Sequence, residues 1–208
     1  LLKIPYLIFS HGTDIEAGTR STWKRRMLKK AASSSEQVIF NSVSLKERLL
    51  KVKPELENKV SVLYPCPESI FYQKPAPEVL NKLSSQYALD GKKVILTIAR
   101  MTEGKGFPHL LRISPKILEQ VPNLVWVIIG AGPKKDWFIK EMQKLNMQNV
   151  IRFIGEMPHE ELKNYYYLAD LFVLLTHPDE GREEGLGLVF LEAAACGLPV
   201  VAGKSGGV

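Results

Sequence analysis

Short apolar runs rich in β-branched residues recur along the whole chain and are separated by longer amphipathic stretches. Near-continuous apolar runs of this length predict strands that are buried on both faces of a sheet. The predicted strands are residues 5–9, 37–40, 60–63, 93–99, 124–130, 150–154, 170–175 and 199–202.

The stretches between these runs have the spacing of apolar positions that helices require. The predicted helices are residues 21–32, 42–50, 77–87, 107–121, 134–145, 158–168 and 186–196. Strands that alternate with helices are typical of parallel sheets with helices on both faces. We therefore predict an α/β fold built from Rossmann-like units.

A proline-rich segment, residues 64–77 (YPCPESIFYQKPAP), interrupts the alternation. Proline disfavours both helix interiors and sheet ladders, so this segment is the natural linker. We predict two units: residues 1–72 form the C-terminal part of one domain, and residues 73–208 form most of a second.

Composition is that of an ordinary globular protein, with 45% hydrophobic and 24% charged residues. The two cysteines, Cys66 and Cys196, lie far apart and show no metal-ligand spacing, which favours a reducing, cytoplasmic setting. No apolar run is long enough to span a bilayer, so we expect a soluble or peripheral protein.

The net charge is +6 at pH 7, and residues 23–30 (WKRRMLKK) supply much of it. This segment is either a solvated helix face or a basic helix that touches an anionic membrane surface or an acidic substrate. Because aromatic residues do not alternate with the basic ones along a strand, we expect no nucleic-acid partner.

Candidate chemistry lies in the loops that follow strands, since ligands of parallel α/β sheets bind beyond the carboxyl ends of the strands. The loop after residues 93–99 reads RMTEGKGF and carries Arg100 and Lys105. Two cations that converge on a strand end suit a diphosphate, although two solvated cations on a turn would read the same way.

The loop after residues 124–130 reads GAGPKKDW and resembles the start of a dinucleotide-binding turn. A third glycine is absent, and Arg152 stands where an acidic residue would be needed. The pattern is therefore weak evidence for NAD, and a purely structural turn explains it equally well.

The segment EGLGLVFLEAAACGLPVVAG places Glu184 before a helix and Glu192 inside its apolar sequence. Gly185, Leu186 and Gly187 can offer backbone N–H groups at the positive end of that helix. A buried carboxylate needs good hydrogen-bond partners, which are either a buried cation or backbone N–H group or the paired hydroxyls of a ligand.

The strand at residues 5–9 is followed by Ser10, His11 and Gly12. A histidine at a strand end can bind a substrate hydroxyl or take part in acid–base chemistry, and it can equally be structural.

These motifs together resemble family 4 of the retaining, nucleotide-sugar-dependent glycosyltransferases (glycosyl transferases group 1). That family has the GT-B fold of two Rossmann-like domains. The pair Glu184 and Glu192, separated by seven residues in EGLGLVFLEAAACGLPVVAGKSGG, carries the resemblance, supported by ARMTEGKGF, VIRFIGEMPHEELKNYYYLADLFVLL, HGTD and VLYPCPESIF. The finer pattern is most similar to bacterial α-mannosyltransferases that use GDP-mannose.

The resemblance implies a role for each matching residue. Arg100 and Lys105 would hold the diphosphate, and Glu192 would bind the ribose hydroxyls, so that a bound diol and not a protein cation balances its charge. Glu184 with the N–H groups of Gly185, Leu186 and Gly187 would bind the donor hexose. His11 would face that hexose from the other domain, and the backbone around Phe153 and Met157 would meet the base.

The implied reaction is retaining, needs no metal or other cofactor, and moves a hexose from a GDP- or UDP-linked donor to an unidentified glycan, lipid or small-molecule acceptor. Enzymes of this fold are longer, so we expect a fragment lacking both ends, with an incomplete N-terminal unit and no activity alone. Two alternatives stay open: a sugar-nucleotide epimerase of the same fold, and a non-catalytic module that binds nucleotide sugars. We expect a cytoplasmic protein, peripheral at the inner face of the membrane if residues 23–30 touch it.

Overall fold

A computed structural model describes residues 4–12, 18, 21–179 and 183–208. Contacts divide the chain into two units. The first comprises Leu1–Cys66, Glu180–Gly187 and Ser205–Val208, and the second comprises Pro67–Asp179 and Leu188–Lys204. The division in the connecting segment thus falls between Cys66 and Pro67, and the domain boundary near residue 72 stays a prediction.

All eight predicted strands are present, with bounds that differ from the predicted ones by two residues at most. They are β1 Leu7–Ser10, β2 Gln37–Phe40, β3 Val60–Val62, β4 Lys93–Ile98, β5 Leu124–Ile129, β6 Ile151–Gly155, β7 Leu171–Leu174 and β8 Val200–Ala202.

The seven predicted helices are present as well. They are α1 Thr22–Ser34, α2 Val43–Val52, α3 Pro77–Gln86, α4 Phe107–Gln120, α5 Lys135–Lys144, α6 Leu162–Leu168 and α7 Leu188–Ala195. Short 3-10 helices at Pro54–Lys59, Ser69–Tyr72 and His159–Glu161 complete the described structure. The last of these forms the start of the predicted helix 158–168, so that α6 itself begins only at Leu162.

The first unit contains a parallel three-stranded sheet in the order β1-β2-β3. Its apolar core lies between this sheet, α1, α2 and the 3-10 helix Pro54–Lys59, and comprises Ala32, Val38, Phe40, Leu45, Leu49, Leu56 and Val60. The Nζ atom of Lys59 donates hydrogen bonds to the carbonyls of Ser33 and Ser35, 3.2 and 3.0 Å away. This lysine therefore caps the C-terminal end of α1, whose last carbonyls lack helical partners.

The second unit contains a parallel five-stranded sheet in the order β6-β5-β4-β7-β8. Every residue of β5 is buried. Side chains alternate between the faces of a strand, so Val125, Val127 and Ile129 enter one core cluster while Leu124, Trp126 and Ile128 enter the other. Helices therefore cover this sheet on both faces, as the apolar strand sequences predict.

Polar groups inside this sheet are hydrogen-bonded. The indole N–H of Trp126 donates to Oγ1 of Thr97 over 2.9 Å, and the Thr97 hydroxyl donates to the carbonyl of Val173 over 2.7 Å. A chain of two buried bonds thus joins β5, β4 and β7 through side chains and adds to the backbone ladders.

The proline-rich segment is not a free linker along its whole length. Phe71, in the 3-10 helix Ser69–Tyr72, is fully buried and packs edge-on against Tyr166 at 5.8 Å between ring centroids. Tyr167 and Cys196 donate side-chain hydrogen bonds to the Phe71 carbonyl. The residues from Pro67 to Tyr72 therefore belong to the packing of the second unit, which proline content alone does not reveal.

Among the described residues, no helix is both long enough and apolar enough to cross a membrane.

Candidate functional site

The strand order of the second unit defines where a ligand can bind. The chain passes from β4 outward to β5 and β6, and then returns to place β7 on the other side of β4. The carboxyl ends of β4 and β7 therefore form a topological switch point, where open parallel sheets have their binding crevice. The loop with Arg100 and Lys105 follows β4 directly and lies at this point.

Two glycines shape the loop after β4. Gly104 and Gly106 have φ angles of +76° and +74°, a left-handed conformation that side chains disfavour. The carbonyl of Gly104 accepts a hydrogen bond from the His177 N–H in the loop after β7, at 3.0 Å. A Cβ atom on Gly106 would lie 2.1 Å from the carbonyl oxygen of Leu175, so only glycine permits this close approach.

Lys105 lies between these glycines and is partly buried, whereas Arg100 is exposed at the end of β4. The two cations therefore belong to a loop whose backbone is fixed against the neighbouring strand. Cations on a loop with a fixed backbone are placed to bind phosphate oxygens by charge-assisted hydrogen bonds.

Backbone hydrogen bonds connect the segment after β5 to the loop after β4 and to the end of β6, at the carboxyl edge of the same sheet. The N–H of Met101 donates to Ala131 at 2.8 Å, and the N–H of Gly130 donates to Gly155 at 2.8 Å. A Cβ atom on Gly130 would lie 2.1 Å from the carbonyl oxygen of Ala99. The glycines of the GAG turn thus permit backbone contacts between strands, which supports the structural interpretation of this turn.

Phe153 and Met157, predicted near the base, lie at and just beyond the carboxyl end of β6. Both are partly buried. The Nζ atom of Lys135 lies 5.1 Å from the centroid of the Phe153 ring, within the range of a cation–π contact. Met157 packs against the apolar core beside α6.

Glu192 lies on the second turn of α7 and is only 5% exposed. Its Oε2 accepts a hydrogen bond of 2.8 Å from the Tyr166 hydroxyl, and its Oε1 lies 3.0 Å from Nε2 of His159. The other ring nitrogen of His159, Nδ1, lies 3.3 Å from Oε1 of Glu68. When it is protonated, His159 is a protein cation beside Glu192, and the expectation that a bound diol balances this charge stays a prediction.

Electrostatics in this cluster follow from burial and from Glu192. The hydrogen bond to Glu192 raises the pKa of His159 above its ordinary value of 6.5, against a smaller opposing effect of burial. Burial, with a smaller contribution from Glu192, raises the pKa of Tyr166 strongly and that of Cys196 to about 11. Tyr166 and Cys196 are therefore neutral near pH 7.

The structure assigns Glu184, Gly185, Leu186 and Gly187 to the first unit, together with His11. A Cβ atom on Gly185 would lie 2.9 Å from the carbonyl oxygen of His11, so the two backbones are in close contact. The N–H of Glu184 donates to Oγ of buried Ser205 at 3.2 Å. His11 and the start of the predicted hexose-binding segment are therefore neighbours within one unit.

The roles of Arg100, Lys105 and Glu192 in the second unit, and of His11 and Glu184 in the first, stay predictions. Residues 180–182 of the glutamate-rich loop lie outside the described residues. Within the residues that the structure describes, no group of three or more His, Cys, Asp or Glu side chains is arranged to hold a metal ion.

Three residues of the polar group around Glu192 were not predicted as site residues: His159, Tyr166 and Glu68. The sequence signal that could have indicated them is the carboxylate of Glu192 in an apolar helix, which requires partners. The hydrogen-bonded partners lie 33 and 26 residues away along the chain, so spacing alone could not identify them.

The fold and site define a class of protein: an α/β protein of parallel sheets with a cationic loop at the switch point of its larger sheet. Residues 81–208 match the family Glycosyl transferases group 1. This match covers more than half of the chain, and the chain therefore belongs to that family.

Relatives with curated descriptions agree with this assignment. A GDP-mannose-dependent α-(1-6)-phosphatidylinositol monomannoside mannosyltransferase of Mycolicibacterium smegmatis is 34% identical over 135 residues, which are 64% of this chain and 35% of the relative. An uncharacterised glycosyltransferase of Methanocaldococcus jannaschii is 32% identical over 100% of this chain and 54% of its own length. The chain thus spans about half or less of the length of these relatives.

Solved structures share the fold. The Anabaena protein HepE, crystallised with UDP, has a TM-score of 0.81 at 22% identity, with 98% of this chain and 54% of that chain covered. WaaG, a glycosyltransferase involved in lipopolysaccharide biosynthesis, has a TM-score of 0.71 at 16% identity, with 99% of this chain and 58% of that chain covered. The predicted α/β fold with parallel sheets, of the GT-B type, is confirmed.

Proposed function

We propose that the full-length protein is a retaining glycosyltransferase that moves a hexose from a nucleotide diphosphate sugar to an acceptor hydroxyl. The observation that carries this proposal is the loop of Arg100 and Lys105 at the switch point between β4 and β7. In a chain of this family, two cations fixed at that point suit the diphosphate of a sugar nucleotide.

In the proposed reaction the acceptor oxygen forms a bond to the anomeric carbon while the bond from that carbon to the diphosphate oxygen breaks. The electron pair stays with the diphosphate, which leaves from the face where the acceptor attacks and takes up the acceptor proton. Configuration at the anomeric carbon is therefore retained. Arg100 and Lys105 stabilise the charge that develops on the leaving oxygens, which is the work of a metal ion in other transferases.

The remaining residues bind the donor in this proposal. Glu192 accepts hydrogen bonds from the ribose hydroxyls, and the backbone around Phe153 and Met157 meets the base. Glu184 and the N–H groups of the following residues bind the hexose, and His11 contacts the same sugar. The relative that uses GDP-mannose favours mannose as the hexose, whereas HepE was crystallised with UDP.

A panel of sugar nucleotides tests this function. We expect GDP-mannose or UDP-glucose to raise the thermal midpoint of the full-length protein, because a ligand at 100 times its Kd adds about 2.7 kcal/mol of stability. ADP-glucose serves as the comparison for base selectivity. If none of the three shifts the midpoint at millimolar concentration, the proposed donor site does not exist.

Product analysis then separates the reaction classes. Transfer or slow hydrolysis with retained anomeric configuration, followed by NMR, supports the proposal. Conversion of the free donor to an epimer without any acceptor would instead identify an epimerase. Donor binding without turnover, across lipid, glycan and small-molecule acceptors, would identify a non-catalytic binding module.

We propose that the basic helix α1 lies on an anionic membrane surface as a peripheral contact. Trp23 and Met27 lie four residues apart, on one face of the helix, and are 66% and 54% exposed. Lys24, Arg26 and Lys30 flank them. Exposed apolar side chains with neighbouring cations are the features of helices that lie in the headgroup region.

Vesicle flotation tests this contact. We expect the full-length protein to float with vesicles of phosphatidylglycerol and phosphatidylcholine, and W23A/M27A to lose most of that binding. The variant V79A, on exposed helix α3, is the matched control because it also shortens an exposed apolar side chain. Equal flotation of W23A/M27A and the wild type would show that α1 is a solvated helix face.

A further inference from the structure

Four side chains form a polar group against the buried face of α7, which we call the Glu192 cluster: Glu68, His159, Tyr166 and Glu192. Glu192 is at its centre, with one hydrogen bond to each carboxylate oxygen. The ring of His159 lies between two carboxylates and packs edge-on against Phe71 at 5.2 Å between centroids. The side chain of His159 is 47% exposed, so one side of this ring reaches solvent.

The geometry leaves acceptor capacity on Glu192. A carboxylate offers about four lone-pair positions, two on each oxygen. Among the described residues, Tyr166 uses one on Oε2 and His159 uses one on Oε1, which leaves one position on each oxygen. Two adjacent positions on two oxygens suit the two hydroxyls of a ribose, which is the group that the proposed function assigns to Glu192.

Only the protonated ring of His159 can donate to both neighbouring carboxylates. A neutral imidazole has one N–H group and must release either Glu68 or Glu192. A buried carboxylate that loses a charged partner keeps only its neutral hydrogen bonds and is held in place less strongly. The neutral ring can keep its one N–H group on Glu192, so deprotonation of His159 removes the charge of this partner, and only the imidazolium gives Glu192 a charge-assisted hydrogen bond.

The other ionisable groups near the His159 ring do not replace the positive charge that the protonated ring places beside Glu192. On α6, Tyr166 faces Glu192 and is neutral, as is the thiol of Cys196 after α7, whose pKa is about 11. The charge of Lys163 lowers the pKa of Cys196 and so opposes the effect of burial. Glu160 and Glu161 are the chain neighbours of His159. Since the pKa of His159 is raised, the stabilising contact is complete below pH 6.5 and is lost as pH rises through the raised value.

We propose that His159 is a positioning residue for the sugar-nucleotide donor: its imidazolium holds Glu192 against Tyr166 and makes donor affinity decrease when the ring loses its proton. This inference rests on the proposed function, because it assumes that Glu192 binds the ribose. It extends that function by naming a residue outside the glutamate pair, and a pH dependence, that set the affinity.

Calorimetric titration of the full-length protein with GDP-mannose and UDP-glucose between pH 6 and pH 9 tests the proposal. The phosphates of these donors carry constant charge over this range, and the acidic ring N–H groups of guanine and uracil titrate only at its upper end, so a change in affinity between pH 6 and pH 8 reports on the protein. We expect the Kd of the better donor to rise about tenfold across the range, the size expected from loss of one charge-assisted hydrogen bond. In H159Q a neutral amide replaces the ring at every pH, so the Kd should stay close to the value that the wild type reaches at high pH and change less than about threefold across the range.

Two further variants separate positioning from a merely structural role. H159L cannot donate and should bind about tenfold more weakly than wild type at pH 6, with a flat profile. E68Q should move the midpoint of the wild-type profile to lower pH, because Glu68 no longer favours the imidazolium. H109Q is the control, since His109 pairs with the ring of His177, and it should keep the wild-type profile.

The outcomes are distinct. If wild type binds a donor and H159Q shows the same pH profile, the role of His159 is refuted and the proposed function stands. If wild type binds no donor at any pH, the proposed function is refuted and this inference with it. If H159L lowers the thermal midpoint yet keeps the wild-type affinity and profile, His159 is structural and the inference is overturned.

Discussion

Replacement of Lys105 by alanine is expected to lower kcat for transfer by about 100- to 1,000-fold, the usual cost of removing one donor to a developing oxyanion. Charge on the leaving diphosphate is greater in the transition state than in the bound donor, so kcat should fall more than donor affinity. The measurement is steady-state transfer from the donor that the thermal-shift panel identifies. Partly buried Lys105 lies between Gly104 and Gly106, whose left-handed backbone fixes the conformation of the loop around it.

Two variants accompany this measurement. K116A removes an exposed lysine on α4 and should leave kcat within about twofold of wild type, because distant surface charges are screened. K105R keeps the charge and should recover part of the activity. A K105A variant that transfers at more than a third of the wild-type rate would show that this loop does not stabilise the leaving group.

The second large effect concerns the backbone junction beside Lys105. G106A is expected to reduce the free energy of unfolding by more than about 3 kcal/mol, measured by urea denaturation of the full-length protein. About 1–2 kcal/mol comes from the left-handed conformation, since φ is +74°. The larger part comes from the new Cβ atom, which would lie 2.1 Å from the Leu175 carbonyl oxygen and must separate the loops after β4 and β7.

Gly91 provides the matched control for this effect. Its φ is +67°, close to that of Gly106, but a Cβ atom there meets nothing within 4 Å. G91A should therefore cost only the conformational part, about 1 kcal/mol. Equal losses in G91A and G106A would mean that the contact with Leu175 contributes little, and that conformation alone explains why glycine is present.

The strands were predictable because parallel strands covered on both faces appear as continuous apolar runs. Strand β5, buried at all six positions, is the clearest case. Helix ends were less predictable. Helix α7 begins at Leu188 and not at residue 186, and Gly187 before it has a φ of +78°, which is outside helical conformation.

Short 3-10 helices were missed for a physical reason. Pro54–Lys59 and Ser69–Tyr72 are too short to show a periodic apolar face, and each contributes a single buried side chain, Leu56 or Phe71. Proline content indicated a loop in the second case. The burial of Phe71 depends on a pocket formed by residues far along the chain, and local composition carries no information about it.

For the candidate site, the sequence predicted which loops matter but not which side chains meet. Arg100 and Lys105 follow β4, and the rule for parallel strands places their loop at the ligand-binding edge. The partners of Glu192 could not be derived in this way. His159 and Tyr166 come from a 3-10 helix and from α6, and only the packing of α6 against α7 brings them to the carboxylate.

The hydrogen bonds among the loops after β4, β5 and β7 also limit how donor choice can be re-engineered. The N–H of Met101 donates a hydrogen bond to the carbonyl of Ala131, and the N–H of His177 donates to the carbonyl of Gly104. The backbone conformation of each loop therefore depends on that of its neighbour. A single loop grafted from a relative with another donor would lack the carbonyl and N–H partners that the neighbouring loops of that relative provide. Chimaeras that exchange all three loops as one set should fold, and evolution of donor preference in such proteins should proceed by coordinated change in all three.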